Sequence, residues 1–407
     1  MYDVIVVGAR CAGASTAMLL ARKGCRVLLV DRATFPSEIP HGHFIHRHGP
    51  GRLQRWGLLD RVVATGCPPV TSMTTDFGDF PLTGKDLVQG GVAFGYAPRR
   101  GALDKVLVDA AAEAGAEIRE GFVVESFMTD GDRICGVRGR ARAGGAIVAE
   151  RATVTVGADG RNSRLARTVG APAYEATEAV TCWYFSYWSG VPANGLEVYV
   201  RDRRVVFAFP TNAGLFGLFV AWPASELAAV RADLEGQFMA AVGKVPGLAE
   251  RVRSGRREER FCGAVDLPNF LRKPHGAGWA LVGDAGCHKD PFLALGVCDA
   301  FRDAELLVDA LDDGLSGRRA LDQALADYER RRNEATLPEY MENLHMAQFR
   351  PLPEEANQLR AALRGNQEAT NRFYMAREGM IPRESFFNPD NLRSIMTAAA
   401  RSAAPIR

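Results

Sequence analysis

Val4-Ile5-Val6-Val7-Gly8-Ala9-Arg10-Cys11-Ala12-Gly13 stands almost at the start of the chain, and its reading decides the fold. Four consecutive apolar residues suit a parallel strand buried on both faces. Gly8 ends the run. Residues 12–22 are rich in Ala and Leu, with Ala17, Leu20 and Ala21 at helical spacing, and Gly24 stops the pattern. Residues 27–30 are a second buried strand ending at Asp31. The spacing predicts a strand–helix–strand unit of near-minimal length. A dinucleotide phosphate wants glycine at the tight turn and at the close helix–strand contact, and Gly8 and Gly13 supply both. Arg10 replaces the middle glycine of G-x-G-x-x-G, where it either adds charge to the phosphate site or swings away. Asp31, with Arg32 beside it, lies where a carboxylate accepts a ribose hydroxyl. The plainer alternative is a glycine turn that holds no ligand.

Working outward, the 407 residues are 47% hydrophobic and 24% charged, which excludes general disorder. Fifty basic against 48 acidic residues leave a formal +2, without the positive field of a nucleic-acid binder. Eight scattered cysteines without a C-x-x-C pair predict reduced thiols. The opening apolar run is too short for a secretory leader or a membrane span, so a cytoplasmic protein is expected.

Residues 36–51 are rich in His, Pro and Gly, and 71–97 read as short strands and turns. Residues 100–114 form a helical pattern with Leu103, Val106, Leu107 and Ala110 on one face. Strand character returns at 116–124, 146–156, across the aromatic stretch 180–222, and at 279–283. A helix is predicted over 226–242, and helices dominate from Asp299 onward.

Two further segments carry a family resemblance. Gly157-Ala158-Asp159-Gly160-Arg161-Asn162-Ser163-Arg164 resembles the G-A-D-G-x-x-S segment of flavoprotein monooxygenases related to para-hydroxybenzoate hydroxylase. Gly283-Asp284-Ala285 is similar to that family's second flavin motif, with Pro291 and Gly296 following at the family's spacing. The resemblance spans about residues 2–310 and implies FAD as cofactor. It places Gly8, Arg10, Cys11, Ala12, Gly13, Asp31, Arg32 and Asp159 around the dinucleotide. Asp284 is implied at the ribityl chain, Arg100 near the flavin, and the backbone of Val124 at the adenine. Pro291, Gly296 and Val297 are implied at the pyrimidine edge, where helix amides suit negative charge. His43 and His46 fall in a segment that contacts flavin in the family.

The implied fold class is α/β. A glutathione-reductase-type FAD-binding Rossmann domain (1–70, 98–175 and 272–325) is interrupted by a mixed β-sheet substrate domain (71–97 and 176–271), with C-terminal helices over 326–407. The implied chemistry is hydroxylation or epoxidation of an apolar or aromatic small molecule with O2 through a flavin C4a-hydroperoxide, NAD(P)H being a transient reductant without a domain of its own; the alternatives are reduction of carbon–carbon double bonds, halogenation, and flavin binding without turnover. A separate flavin reductase and a homodimer are further partners the resemblance leaves open.

Asp290-Pro291 followed by Gly296-Val297 is closer to halogenases and geranylgeranyl reductases of the same group. The halogenase W-x-W-x-I-P motif is absent, and Lys85 is only a loose match for the halogenase lysine. Asp290 has two readings, a proton-steering carboxylate beside the flavin or a turn-builder before proline. His41, His43, His46 and His48 cluster without a supporting Cys set, so no metal is expected. Phe185, Tyr187, Phe207, Phe209 and Phe219 are the candidates to line an apolar substrate pocket, against the alternative of ordinary core.

Overall fold

The structure, a computed structural model, describes residues 1–39 and 41–403. Pro40, in the His-rich segment, and 404–407, in the expected C-terminal region, lie outside the described residues. The chain divides into two compact units.

The first unit comprises Met1–His43, Arg99–Ala179 and Leu267–Leu344. Its centre is a parallel sheet in the order Glu117–Arg119, Val27–Val30, Tyr2–Val7, Val148–Gly157, Trp279–Leu281. Val4, Ile5 and Val6 are wholly buried, as the apolar run predicts. The strands Phe122–Asp130 and Arg133–Ala141 extend the sheet as an antiparallel hairpin joined to the start of Val148–Gly157. That hairpin packs Phe122, Val124 and Val137 against Ile5, Val7, Leu28 and Val30. The helix Cys11–Arg22 packs against the helices Arg100–Glu113 and Gly296–Leu315. The long helix Leu321–Ala347 is tied to the parallel sheet by the Tyr328 hydroxyl, which donates to the Leu281 carbonyl at 2.9 Å.

The second unit comprises Phe44–Pro98, Val180–Asp266 and His345–Arg407. Its sheet runs in the order Arg256–Arg257, Thr181–Ser189, Phe216–Pro223, Arg204–Pro210, Leu196–Arg201, Met73–Asp76, Pro81–Gly84. All neighbours are antiparallel except Leu196–Arg201 with Met73–Asp76. Successive side chains of a strand point to opposite faces. One face presents Cys182, Tyr184, Trp188, Leu218, Val220 and Trp222 to the helices Leu227–Ala232, Leu234–Gly243 and Pro246–Ser254. The single helix expected over 226–242 is broken at Asp233, whose non-helical backbone (φ −144°, ψ 68°) lets its carboxylate cap the Gly236 amide of the next helix.

Residues 44–70, expected in the nucleotide domain, fall in this unit. The Ile45 amide donates to the Tyr96 carbonyl and the Tyr96 amide to the Ile45 carbonyl, while Phe44 packs on Phe94, Phe207 and Phe209. Residues 345–403, expected with the C-terminal helices as a region of their own, also join it. The helix Gln367–Arg377 lies along the outermost strand, Pro81–Gly84. Its Tyr374 hydroxyl donates to the Leu82 carbonyl at 2.7 Å. Gln367 Nε2 donates to the Thr83 carbonyl at 2.9 Å, and the Lys85 amide donates to Asn371 Oδ1 at 2.9 Å. A Cβ on Gly84 would stand 2.6 Å from the Tyr374 ring, so glycine is what lets that ring close on the strand.

All eight cysteines carry free thiols. Among the described residues, no helix is long and apolar enough to cross a membrane.

Candidate FAD site

Strand Tyr2–Val7 delivers the chain into a left-handed turn at Gly8 (φ +104°), a conformation costly for any residue with a Cβ. A Cβ there would also stand 2.4 Å from the Ala158 carbonyl oxygen. Gly13 is tighter still, its Cβ position lying 1.7 Å from the Gly8 carbonyl oxygen. The two glycines thus let helix Cys11–Arg22 begin directly beneath the turn. Gly13→Ala is expected to force the turn and helix start apart and to weaken FAD retention roughly a hundredfold, about 2.7 kcal/mol. Flavin fluorescence released on dilution measures this; retention equal to wild type would refute it.

Arg10 tolerates the middle-glycine position because its backbone is ordinary extended chain (φ −94°, ψ −162°). Its side chain swings away from the turn. Nη1 donates to Asp104 Oδ2 at 2.5 Å and to the Ser37 carbonyl at 3.3 Å, and the guanidinium lies over the Phe35 ring. Arg100, from the first turn of helix Arg100–Glu113, approaches the same carboxylate, with Nη2 at 3.0 Å from Asp104 Oδ1. Asp104 is completely buried. Burial pushes the neighbouring Cys11 thiol up to about 12, so it stays neutral and points at Asp104 Oδ1. The candidate phosphate turn is therefore backed by one carboxylate shared between two arginines. Sequence reading had Arg100 but gave Asp104 no role, although their i, i+4 spacing on a helix is a legible signal.

Asp31 closes the turn from the next strand. Its Oδ2 accepts the Ala9 amide at 2.7 Å and its Oδ1 the Ala33 amide at 2.8 Å. Each carboxylate oxygen retains a second lone pair for a ribose hydroxyl. Arg32 is exposed one residue further on. Asp159 Oδ2 accepts the Arg164 amide at 2.7 Å, while its Oδ1 is buried without a hydrogen-bond partner. A buried polar atom of this kind is costly unless a ligand group completes it. The Val124 carbonyl, in the region assigned to adenine, accepts Arg164 Nη1 at 2.8 Å.

The second flavin motif meets the first. A Cβ on Gly283 (φ +62°) would lie 2.7 Å from the Ala12 Cβ, which brings Asp284 alongside the start of helix Cys11–Arg22. After Pro291–Leu293, Ala294 turns left-handed (φ +53°) and helix Gly296–Leu315 begins with Gly296 exposed and Val297 buried. Asp290 builds this turn. It is 1% exposed, its Oδ1 accepts the Phe292 amide at 3.1 Å, and its backbone is held by Asn269 and Asn343. Asp290 Oδ1 thus caps the turn that Pro291 begins.

Gly8, Gly13, Asp31, Asp159, Asp284 and Gly296 thus come together in the first unit as a close-approach turn, a carboxylate that closes it, an orphaned carboxylate oxygen and a helix start. The residues present fit FAD.

His43 is buried in the first unit and His46 in the second. His46, expected at the flavin, has its Nδ1 committed to Glu378 Oε2 at 2.7 Å, a partner 332 residues away. Among the described residues, no group of three or more His, Cys, Asp or Glu side chains is placed to hold a metal ion.

The candidate substrate residues all lie on the sheet face opposite the helices of the second unit. Phe185, Phe219 and Phe207 stand in register across three adjacent strands. Phe185 stacks on Phe219 with centroids 4.5 Å apart, Phe209 on Phe219 at 5.2 Å, and Tyr187 meets Phe219 edge-on at 6.3 Å. Phe207 is the half-buried member. Phe44, which sequence reading missed, packs on Phe207 and Phe209. A Cβ at Gly217 would press on Phe209 and Phe219 at 3.2 and 3.3 Å, so glycine there lets the rings close together.

Comparison with known proteins agrees with this geometry. The profile of a family described as an FAD binding domain matches residues 1–233. Over 313 residues the chain is 32% identical to digeranylgeranylglycerophospholipid reductase 2 of Methanopyrus kandleri, covering 73% of each protein. Rifampicin monooxygenase of Rhodococcus hoagii is 27% identical over 321 residues, covering 74% of this chain and 62% of that enzyme. The myxobacterial chondrochloren halogenase CndH shares the fold, with TM-score 0.79 at 20% identity, covering 100% of this chain and 98% of that one. With its phosphate turn, its second flavin motif and these relatives, the chain belongs to the FAD-binding-domain family of flavoproteins and is an FAD-dependent oxidoreductase by family.

Proposed function

We propose that the protein is a monooxygenase that uses NAD(P)H and O2 to hydroxylate or epoxidise an apolar or aromatic small molecule. The observation that carries this reading is the aromatic layer of Phe44, Phe185, Phe207, Phe209 and Phe219, turned away from the helix-packed core of the second unit. Four of these rings are buried and Phe207 is half-buried, so a substrate ring would meet the layer at Phe207 by stacking and edge contacts. FAD, when bound, supplies the electron transfer and oxygen activation. The protein's own part is to seat the dinucleotide on Gly8 and Gly13, to engage its ribose through Asp31, and to hold an apolar substrate.

A second reading is reduction of carbon–carbon double bonds, which the 32% identity to the Methanopyrus kandleri reductase favours. Halogenation has less support, since Lys85 is exposed on the outermost strand's end and its amide is bound to Asn371.

The test is anaerobic addition of NADPH, then NADH, to the FAD-loaded protein, with 2-naphthol or a geranylgeranyl glycerolipid present, followed by air. Bleaching of the visible flavin band and a product heavier by one oxygen atom are expected with 2-naphthol. Gain of two hydrogens on the lipid would instead establish the reductase. If neither nicotinamide bleaches bound FAD with either compound, electrons must come from a partner flavin reductase and the single-component reading fails.

A further inference from the structure

Beneath the start of helix Gly296–Leu315, the first unit buries a charge cluster that the proposed chemistry does not use. Lys289 is 9% exposed, and its Nζ lies 2.6 Å from Asp299 Oδ2. Asp299 is 6% exposed and sits in the first turn of the helix, three residues past Gly296. Arg302 Nη1 is 2.8 Å from Asp299 Oδ1, and its Nη2 is 2.8 Å from Asp303 Oδ1 and 2.6 Å from Thr336 Oγ1. Glu339 approaches Arg302 at 3.6 Å.

Buried ion pairs of this kind gain little net stability over apolar residues of the same volume, because two desolvation penalties oppose one attraction. Their charges nevertheless act on whatever lies nearby, since the surroundings screen them poorly. Asp299 lies about 4.5 Å along the helix axis from Gly296, at a rise of roughly 1.5 Å per residue. A carboxylate at that depth cancels the positive end of the helix. Lys289 restores it. Burial, the largest single influence, lowers the Lys289 ammonium, but the charge and hydrogen bond of Asp299 together with Cys287 outweigh it and hold the group above its ordinary value, so the charge is present throughout the neutral range.

We infer that Lys289 and Asp299 form an opposed pair that sets the reduction potential of the flavin bound at the start of helix Gly296–Leu315. Reduction adds negative charge to the flavin. Lys289 favours that charge and Asp299 opposes it. The inference rests on FAD occupying the first unit and is independent of whether oxygen or hydrogen is then transferred to substrate.

The experiment is the two-electron midpoint potential of the FAD-loaded protein, by equilibration with a reference dye, for wild type, Lys289→Met, Asp299→Asn and the double variant. Lys289→Met should shift the oxidised–reduced balance about tenfold toward oxidised flavin, a fall of about 30 mV. Asp299→Asn should raise the potential by a similar factor, and the double variant should return close to wild type. If Lys289→Met does not fold, Asp299→Asn alone decides: a rise supports the pair, and no rise overturns it. Unmoved potentials in both single variants with FAD bound overturn the inference and leave the cofactor reading intact. Wild-type protein that takes up no FAD overturns the cofactor reading itself.

Discussion

Asp104→Asn should cost the first unit about 3–5 kcal/mol, the range for removing one partner of a buried ion pair. The substitution keeps the side-chain shape and deletes only the charge. Asp104 is wholly buried and accepts from both Arg10 and Arg100, while Arg100 itself is 7% exposed. Without the carboxylate, the Arg100 guanidinium is buried with its nearest counter-charge gone. Arg10→Ala is the instructive contrast. The Arg10 side chain is 23% exposed, so solvent screens part of its charge and its removal leaves Asp104 still paired with Arg100. The expected order of urea midpoints is wild type, then Arg10→Ala, then Asp104→Asn, with FAD affinity falling in the same order. An Asp104→Asn midpoint within error of wild type would show that the two arginines do not depend on this carboxylate.

The second large effect concerns Glu378 in the second unit. Glu378 is 3% exposed and its carboxylate meets His46 Nδ1. Burial pushes the group up, but His46, Arg47 and Arg377 outweigh it and hold it at about 2, below its ordinary 4.5. A carboxyl group depressed in the folded state adds stability that is complete above the unfolded value and disappears as pH falls through the folded one. The window is therefore about pH 4.5 down to about 2. Its full size is about 3 kcal/mol, the free energy of holding the carboxyl at about 2 rather than 4.5. Glu378→Gln should be destabilised by about that amount near neutral pH, and the gap to wild type should close as pH falls. Unfolding of both proteins in urea from neutral to acid pH reads this directly. A gap that stays constant down to the acid limit would place the loss in packing rather than in the charge on Glu378.

Local features were the legible ones. The Gly8–Gly13 turn, Asp31, and the strands and first helix around them follow from short-range pattern, because a buried parallel strand and its helix carry their periodicity in sequence. The alternation of residues 181–188 also told which side chains share a face, though not which face meets the helices. That assignment needed helices formed some forty to seventy residues later. The less legible parts are all set by distant partners. The swing of Arg10 is decided by Asp104, the Val124 carbonyl by Arg164, and the ring of His46 by Glu378. The helix break at Asp233 is different in kind. Asp233 at the head of the second helix is an N-cap signal that the apolar periodicity around it obscured.

The helix Gln367–Arg377 has a consequence for how this protein coexists with copies of itself. The outermost strand of a sheet exposes a row of unpaired amides and carbonyls, and such a row recruits strands from other molecules. Here the Gln367 and Asn371 carboxamides and the Tyr374 hydroxyl bond to that row at Thr83, Lys85 and Leu82, and the Tyr374 ring presses on Gly84. Side chains from the far end of the chain thus stand in for a missing strand. While synthesis of a chain has not yet reached Gln367, this edge is uncovered. The helix therefore acts as a guard against aggregation that is made more than 280 residues after the strand it protects.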